Sequence, residues 1–188
     1  MLNEVKKSKS FTLVELLVVI FIIGVLAALI IANVSSTRVK ARDAKRKADL
    51  KSIQTAIEMY IDANGYPPGT AGKLYKSLFL TSSNNQYDWQ DDWPDDLKTA
   101  LAPYIATLPK DPLHPNDMTY ISWDDSSSSC KTDSTGNGAR YWYKHDGTTY
   151  ELNALMEKDC DAVKNDGGNT PGRYEIGTNL NLITKQDL

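Results

Sequence analysis

Residues 16–32 read LLVVIFIIGVLAALIIA, with neither charge nor proline, and no other feature restricts the fold as much. With the lead-in Phe11-Thr12-Leu13-Val14-Glu15 the run has 22 residues. That is about 33 Å of α-helix, against a hydrocarbon core of roughly 30 Å. A buried helix of a soluble domain is the weaker reading, because such a helix is seldom apolar on every face over this length. A secretory signal fits the basic start at Lys6, Lys7 and Lys9. However, its apolar part runs only about 7–15 residues before a small-residue cleavage site. This run is longer and passes straight into charged helical sequence. It is predicted to stay in the membrane.

Charge divides the chain. Residues 1–51 carry 10 basic and 4 acidic side chains, a net of +6, and residues 52–188 carry 11 and 20, a net of −9. A nucleic-acid binder carries its positive charge on the folded part. Here that part is acidic, so no nucleic-acid partner is predicted. The leader lysines favour a cytoplasmic N-terminus. Yet Arg38, Lys40, Arg42, Lys45, Arg46, Lys47 and Lys51 lie just past the other end of the run, and charge counting leaves the orientation open. Glu15 stands out, because an ionisable group at the edge of a membrane helix is a functional-site candidate by default. The bland reading keeps it hydrated at the interface.

With 188 residues the chain has the length of about one ordinary domain. Residues 33–63 contain no glycine or proline, and Ile53, Ile57, Tyr60 and Ile61 share one helix face. Asn64-Gly65 supplies a left-handed cap, and Pro67-Pro68 forbids continuation. One helix over 11–63 would be ~80 Å long. No single globular core covers that length, so its first half needs lipid or other copies of itself.

Residues 6–20, KKSKS-FTLVELLVVI, combine a basic leader with Phe-Thr-Leu-Val-Glu opening an apolar helix. The pattern resembles the prepilin signal of type IV pilins and type II secretion pseudopilins. The resemblance implies that a membrane peptidase acting from the cytoplasmic side cuts between Ser10 and Phe11 and methylates the new amine of Phe11. It makes Glu15 the family's glutamate for assembly, and Gly24 falls where these helices usually carry glycine. Ser10 stands where the family usually has Gly, and Ala32 precedes Asn33 where many members have Pro. Downstream, Arg42-Asp43-Ala44-Lys45-Arg46, Asn64-Gly65-Tyr66-Pro67-Pro68 and Leu108-Pro109-Lys110-Asp111-Pro112 are similar to stalk, exit and loop elements of pseudopilin-like members.

Beyond residue 68 the chain turns loop-rich. Trp93-Pro94-Asp95-Asp96 followed by Leu97, Leu101 and Tyr104 predicts one short helix. Strands are predicted at 120–123, 140–143 and 148–155, the last two joined through His145-Asp146-Gly147, and 173–176 is an edge-strand candidate. Tyr150, Leu152 and Ala154 alternate with polar residues, so one face of that strand is expected to be covered by the helix around 53–61.

Cys130 and Cys160 are the only cysteines. In the cytosol they would be incidental thiols, and two thiols without nearby histidines make no zinc site. With the head outside the cytoplasm, as the resemblance implies, they are expected to form a disulfide. Its loop of ~30 residues would add roughly 3–4 kcal/mol in the chain-entropy treatment.

No phosphate loop, dinucleotide turn, nucleophile elbow or HExxH helix occurs, so no catalytic residue is assigned and the chain is read as not an enzyme. His114 and His145 are read as solvated loop residues. Tyr141, Trp142, Tyr143 and Tyr150 could form a stacking platform, but core packing is the favoured reading. Asp88, Asp91, Asp92, Asp95 and Asp96, with Asp124-Asp125 and Asp159 and Asp161 elsewhere, raise Ca²⁺ as a ligand, which some major pseudopilins use. No EF-hand spacing is present, and a solvated acidic surface is favoured.

The expected fold is α+β: a long N-terminal α-helix, half membrane and half amphipathic, packed on a small antiparallel β-sheet head, the pilin fold. The expected divisions are a leader at 1–10, a transmembrane helix at 11–32, a stalk helix at 33–64 and a head at 65–188. The expected function is a structural subunit of a type IV pilus or type II secretion pseudopilus, polymerising through its N-terminal helix after leader cleavage. Its expected partners are copies of itself, the prepilin peptidase and methyltransferase, an assembly platform, and membrane lipid before assembly. It would span the cytoplasmic membrane once, N-terminus inside, and then enter an extracytoplasmic filament. The competing reading is a membrane-anchored extracytoplasmic binding protein that never polymerises.

Overall fold

The computed structural model describes residues 11–77, 79–83, 86–90, 93–113, 120–124, 129–133, 141–170 and 172–184. Within these, the side chains of 28–35, 79–83, 86–90, 120–124 and 129–133 fall outside the description. The chain divides into two compact units, Met1–Arg38 and Val39–Leu188.

Helix α1 runs Leu13–Asn64. It ends where the sequence predicts. Gly65 takes φ 83° and donates its N–H to the Ile61 carbonyl at 2.7 Å, while the Asn64 amide donates to the Tyr60 carbonyl. A left-handed residue closes the helix and Pro67 cannot extend it.

The second unit is α+β, as expected. Strands β1 (Tyr75–Lys76), β6 (Tyr141–His145), β7 (Tyr150–Leu155) and β8 (Arg173–Gly177) form one antiparallel sheet in that order. Hairpins β2 (Phe79–Ser83) with β3 (Gln86–Gln90) and β4 (Tyr120–Asp124) with β5 (Ser129–Asp133) are separate. Helix α2 is Asp95–Leu101 and α3 is Cys160–Asn165. The sequence reading foresaw α2, β4 and β6 to β8 but not β1, the β2–β3 hairpin, β5 or α3.

Leu50, Ile53, Ala56 and Ile57 of α1 belong to one buried core with Tyr75, Tyr141, Tyr143, Tyr150, Leu152 and Ala154, joined by Trp93, Leu97 and Leu101. The ring hydroxyls are satisfied as they are buried. Tyr141 donates to Asp49 at 2.8 Å, Tyr143 to the Pro68 carbonyl at 2.9 Å and Tyr150 to Glu58 at 3.0 Å. These tyrosines therefore belong to the core and offer no stacking surface.

Two expectations are corrected. His145 is not a solvated turn residue. It ends β6 on the same face as Tyr141 and Tyr143, stacks on Tyr143 with ring centroids 5.7 Å apart, and is 3% exposed. Its Nδ1 accepts the Gly147 N–H at 3.2 Å, and burial lowers its pKa. The sheet is also covered on both faces, because every residue of β7 is buried. On the face away from α1, Trp142 and Leu155 pack with Ile183, and Glu151 accepts the N–H groups of Leu182 and Ile183, each at 2.8 Å. A polar residue in an alternating strand reads as solvent-facing, but here the C-terminal segment supplies its partners.

Candidate assembly surface

The start of α1 is built by a local pattern. Thr12-Leu13-Val14-Glu15 is a capping box. The Glu15 Oε2 accepts the Thr12 N–H at 2.9 Å and the Thr12 hydroxyl at 2.7 Å, and the Thr12 Oγ1 accepts the Glu15 N–H at 3.2 Å. The pattern was legible in the sequence as Thr-x-x-Glu before an apolar run and was missed there. It sets the cap at Thr12, directly after Phe11, and the first helical residue at Leu13. Phe11 is 78% exposed. Ser10 lies outside the described residues.

Behind the cap, every large apolar side chain from Phe11 to Leu26 is between 46% and 80% exposed, on all sides of the helix. Full burial of one such side chain is worth about 1.5–3 kcal/mol, so this surface calls for a covering. The side chains of 28–35 lie outside the described ones, and among the described residues no helix is long and apolar enough to cross a membrane.

Further along α1, the Arg-Asp-Ala-Lys-Arg motif is a clamp on the head. Arg46 is fully buried. Its guanidinium donates to Asp43 at 2.8 Å, to both oxygens of Asp111 at 2.7 and 2.9 Å, and to Glu157 at 2.6 Å. Arg42 adds a bidentate pair with Glu157, and Lys47 binds Asp159. Asp43 accepts three successive backbone N–H groups, those of Glu157, Lys158 and Asp159, at 2.8–3.0 Å. Asp159 in turn caps α3 by accepting the Ala162 N–H at 3.1 Å. Burial opposes charge on Arg46 and Glu157. Asp111 and Glu157 outweigh that and raise the Arg46 pKa, and Arg42 and Arg46 likewise lower that of Glu157. The Leu-Pro-Lys-Asp-Pro element thus contributes Asp111 as a partner of α1, and Trp93 donates its indole N–H to the Pro109 carbonyl at 2.8 Å.

The remaining sequence candidates scatter. Cys160 opens α3, and no described cysteine carries a free thiol. The Cys130 backbone lies in β5, opposite Trp123 of β4, and β4 touches α3. Asp96 binds Lys73 at 2.9 Å and accepts the Tyr75 hydroxyl at 3.0 Å. Asp91, Asp92, Asp125 and His114 lie outside the described residues, and no described group of acidic, histidine or cysteine side chains is placed to hold a metal ion.

Comparison with known proteins agrees with this architecture. Residues 5–31 match the family described as Prokaryotic N-terminal methylation motif. Type II secretion system core protein G of Vibrio cholerae serotype O1 is 30% identical over 128 residues, covering 68% of this chain and 80% of that protein. The protein of the same name from Escherichia coli strain K12 is 40% identical over 119 residues, covering 62% and 73%. Type IV wide pilus major component PilA4 of Thermus thermophilus is 40% identical over 80 residues, covering 42% and 61%. No solved structure matches the chain significantly. A capped, uncovered apolar helix joined to a small antiparallel sheet, and relatives matched over most of their length, lead to one conclusion: the chain belongs to the family of type II secretion pseudopilins and type IV pilins.

Proposed function

We propose that this protein is a structural filament subunit of a type II secretion pseudopilus or type IV pilus, polymerising through its N-terminal helix after leader cleavage. The observation that carries the reading is the exposure of the apolar side chains from Phe11 to Leu26 around the whole helix. Lipid covers them before assembly, and the same helices of neighbouring copies cover them afterwards. In this reading residues 11–32 cross the cytoplasmic membrane once with the N-terminus inside, 33–64 form the stalk, and 65–188 form an extracytoplasmic head. The prepilin peptidase removes residues 1–10 by cutting between Ser10 and Phe11 and methylates Phe11. An assembly platform then draws the subunit from the membrane.

Glu15 is assigned the pairing step. Cleavage turns the Phe11 N–H into a charged amine one helical turn from the carboxylate. An unpaired carboxylate in the membrane costs at least ~2–3 kcal/mol on insertion scales. Pairing with the amine of an adjacent copy relieves that cost and sets the axial register of the incoming helix. We assign a Cys130–Cys160 disulfide to the head, supported by the absence of a free thiol at Cys160.

The N-terminal mass of the protein recovered from cells tests the reading. Loss of residues 1–10 with a methylated Phe11 is the expected result, and an intact leader on protein found in filaments would overturn it.

A further inference from the structure

On the sheet face turned away from α1, two stretches of chain form a roof, the loop at 166–170 and the segment at 178–183. Beneath them Trp142 and Leu155 pack against Ile183. The Thr170 hydroxyl joins the two stretches by donating to the Ile183 carbonyl at 3.1 Å. Two buried carboxylates hold them down. Glu151 accepts the N–H groups of Leu182 and Ile183, and Glu175 accepts those of Asn169 at 2.9 Å and Thr170 at 3.1 Å. Glu175 meets charge from several sides. Across the sheet stand Asn153, directly opposite, and Glu151 further along β7. In the loop, Asp166 accepts the Glu175 N–H at 2.9 Å. On β8, Arg173 donates to Asn153 at 3.0 Å and lies 3.6 Å from the centre of the Trp142 ring. Lys144 of β6 stands opposite Glu151, and Lys76 of β1 opposite Trp142. Asp161 and Lys164 of α3 are exposed, and 178–183 carries no charged residue. Burial and the carboxylates of Glu151 and Asp166 together push the Glu175 pKa up to about 7.

We propose that this roof is a strap held down by a proton: with Glu175 neutral it covers Trp142 and Leu155, and loss of that proton lets 166–170 and 180–183 lift together and uncovers them. An ionised carboxylate is costly where it is buried and cheap where water reaches it. Lifting therefore releases one proton to solvent, and the lifted fraction grows by about tenfold per pH unit between the open and the closed pKa of Glu175. Thr178 and Asn179 are the hinge, because both donate their N–H groups to the Tyr150 carbonyl, at 2.9 and 3.3 Å. The opening is local. The other face of the sheet keeps its own core, in which Leu50, Ile53 and Ile57 of α1 pack with Tyr143 and Leu152.

Amide hydrogen exchange of the full-length protein in detergent, corrected for the intrinsic effect of pH, tests the strap. Protection across 180–183 is expected to fall at least about tenfold between about pH 5 and about pH 7. At both values it is expected to lie well below the protection across 50–57, because the strap opens without the rest of the head. Unchanged protection across 180–183 overturns the proposal. Protection there equal to that across 50–57 also overturns it, because the segment would then open only with the whole head. Glu175→Gln, which has no proton to lose, is expected to abolish the pH dependence, and a fall of the wild-type size in that variant overturns the assignment to Glu175. Asp166→Asn keeps Glu175 and removes one neighbouring charge, so it serves even where Glu175→Gln does not fold. It is expected to shrink the fall, and an undiminished fall overturns the proposal.

Discussion

Arg46 and Asp111, 65 residues apart in sequence, share two hydrogen bonds of 2.7 and 2.9 Å with the guanidinium fully buried. Such a pair ties the helix to a distant loop in one geometry. Removing Arg46 leaves the buried carboxylates of Asp43 and Asp111 without their shared cation, which costs about 3–5 kcal/mol. Arg46→Ala is therefore expected to lower the thermal midpoint of the folded unit sharply, while Arg42→Ala, at a position 26% exposed, costs less. Thermal melts of the two variants measure the difference, and equal effects would contradict the clamp.

The carboxylates split into two classes in their response to pH. Glu157 and Asp159 are buried against their own charged state, but arginine and lysine partners hold their pKa values below the ordinary range. Their contribution is complete above the unfolded values and is lost as pH falls through the folded ones. Glu175 is the opposite case. Burial raises it from 4.5 to about 7, with Glu151 and Asp166 adding to the rise. A folded state that holds this proton more tightly than the unfolded chain loses stability as pH rises from about 4.5 to 7, by roughly 3 kcal/mol. Denaturant melts across that window are expected to fall with pH in the wild type and to flatten in Glu175→Gln.

Gly168 is set by the same carboxylate. A Cβ there would overlap the Glu175 Oε2, which already accepts the Asn169 N–H at 2.9 Å. Gly168→Ala is expected to cost about 1–3 kcal/mol through overpacking. Combining it with Glu175→Ala should recover part of the loss, and a simple sum of the two single effects would argue against direct contact.

Glu15→Val is expected to leave the protein inserted, cleaved and folded but to impair assembly. The readout is sheared or secreted filament relative to membrane-held subunit, with cleavage checked separately. A cleaved variant that assembles at the wild-type level would remove Glu15 from the pairing step.

The parts of the fold legible in the sequence are those encoded by neighbours along the chain. Ile53, Ile57, Tyr60 and Ile61 announce a helix face, and Asn64-Gly65 with Pro67-Pro68 announces its end. The aromatic hairpin around Gly147 is visible for the same reason. The clamp was not legible, because Arg46 finds Asp111 and Glu157 across 65 and 111 residues, and charged side chains on a helix ordinarily read as solvated. His145 was misplaced because the hairpin signal around it obscured that β6 continues to that residue. Glu151 and Asn153 read as solvent-facing because nothing local reveals that Leu182 and Ile183 return to donate to Glu151, or that Arg173 donates to Asn153.

The clamp has a mechanical consequence. Arg42, Asp43, Arg46 and Lys47 lie on successive turns of α1, and all hold the loop at Glu157–Asp159 or Asp111. Because these bonds sit on two adjacent turns and grip two separate segments, a pull on the helix loads them together instead of opening them one after another as a peeled hairpin does. Resistance to a pull is governed by the rate of unfolding, and that rate drops when several charge-assisted bonds must break together. A head under tension would then keep hold of its own helix until the whole clamp gave way at once.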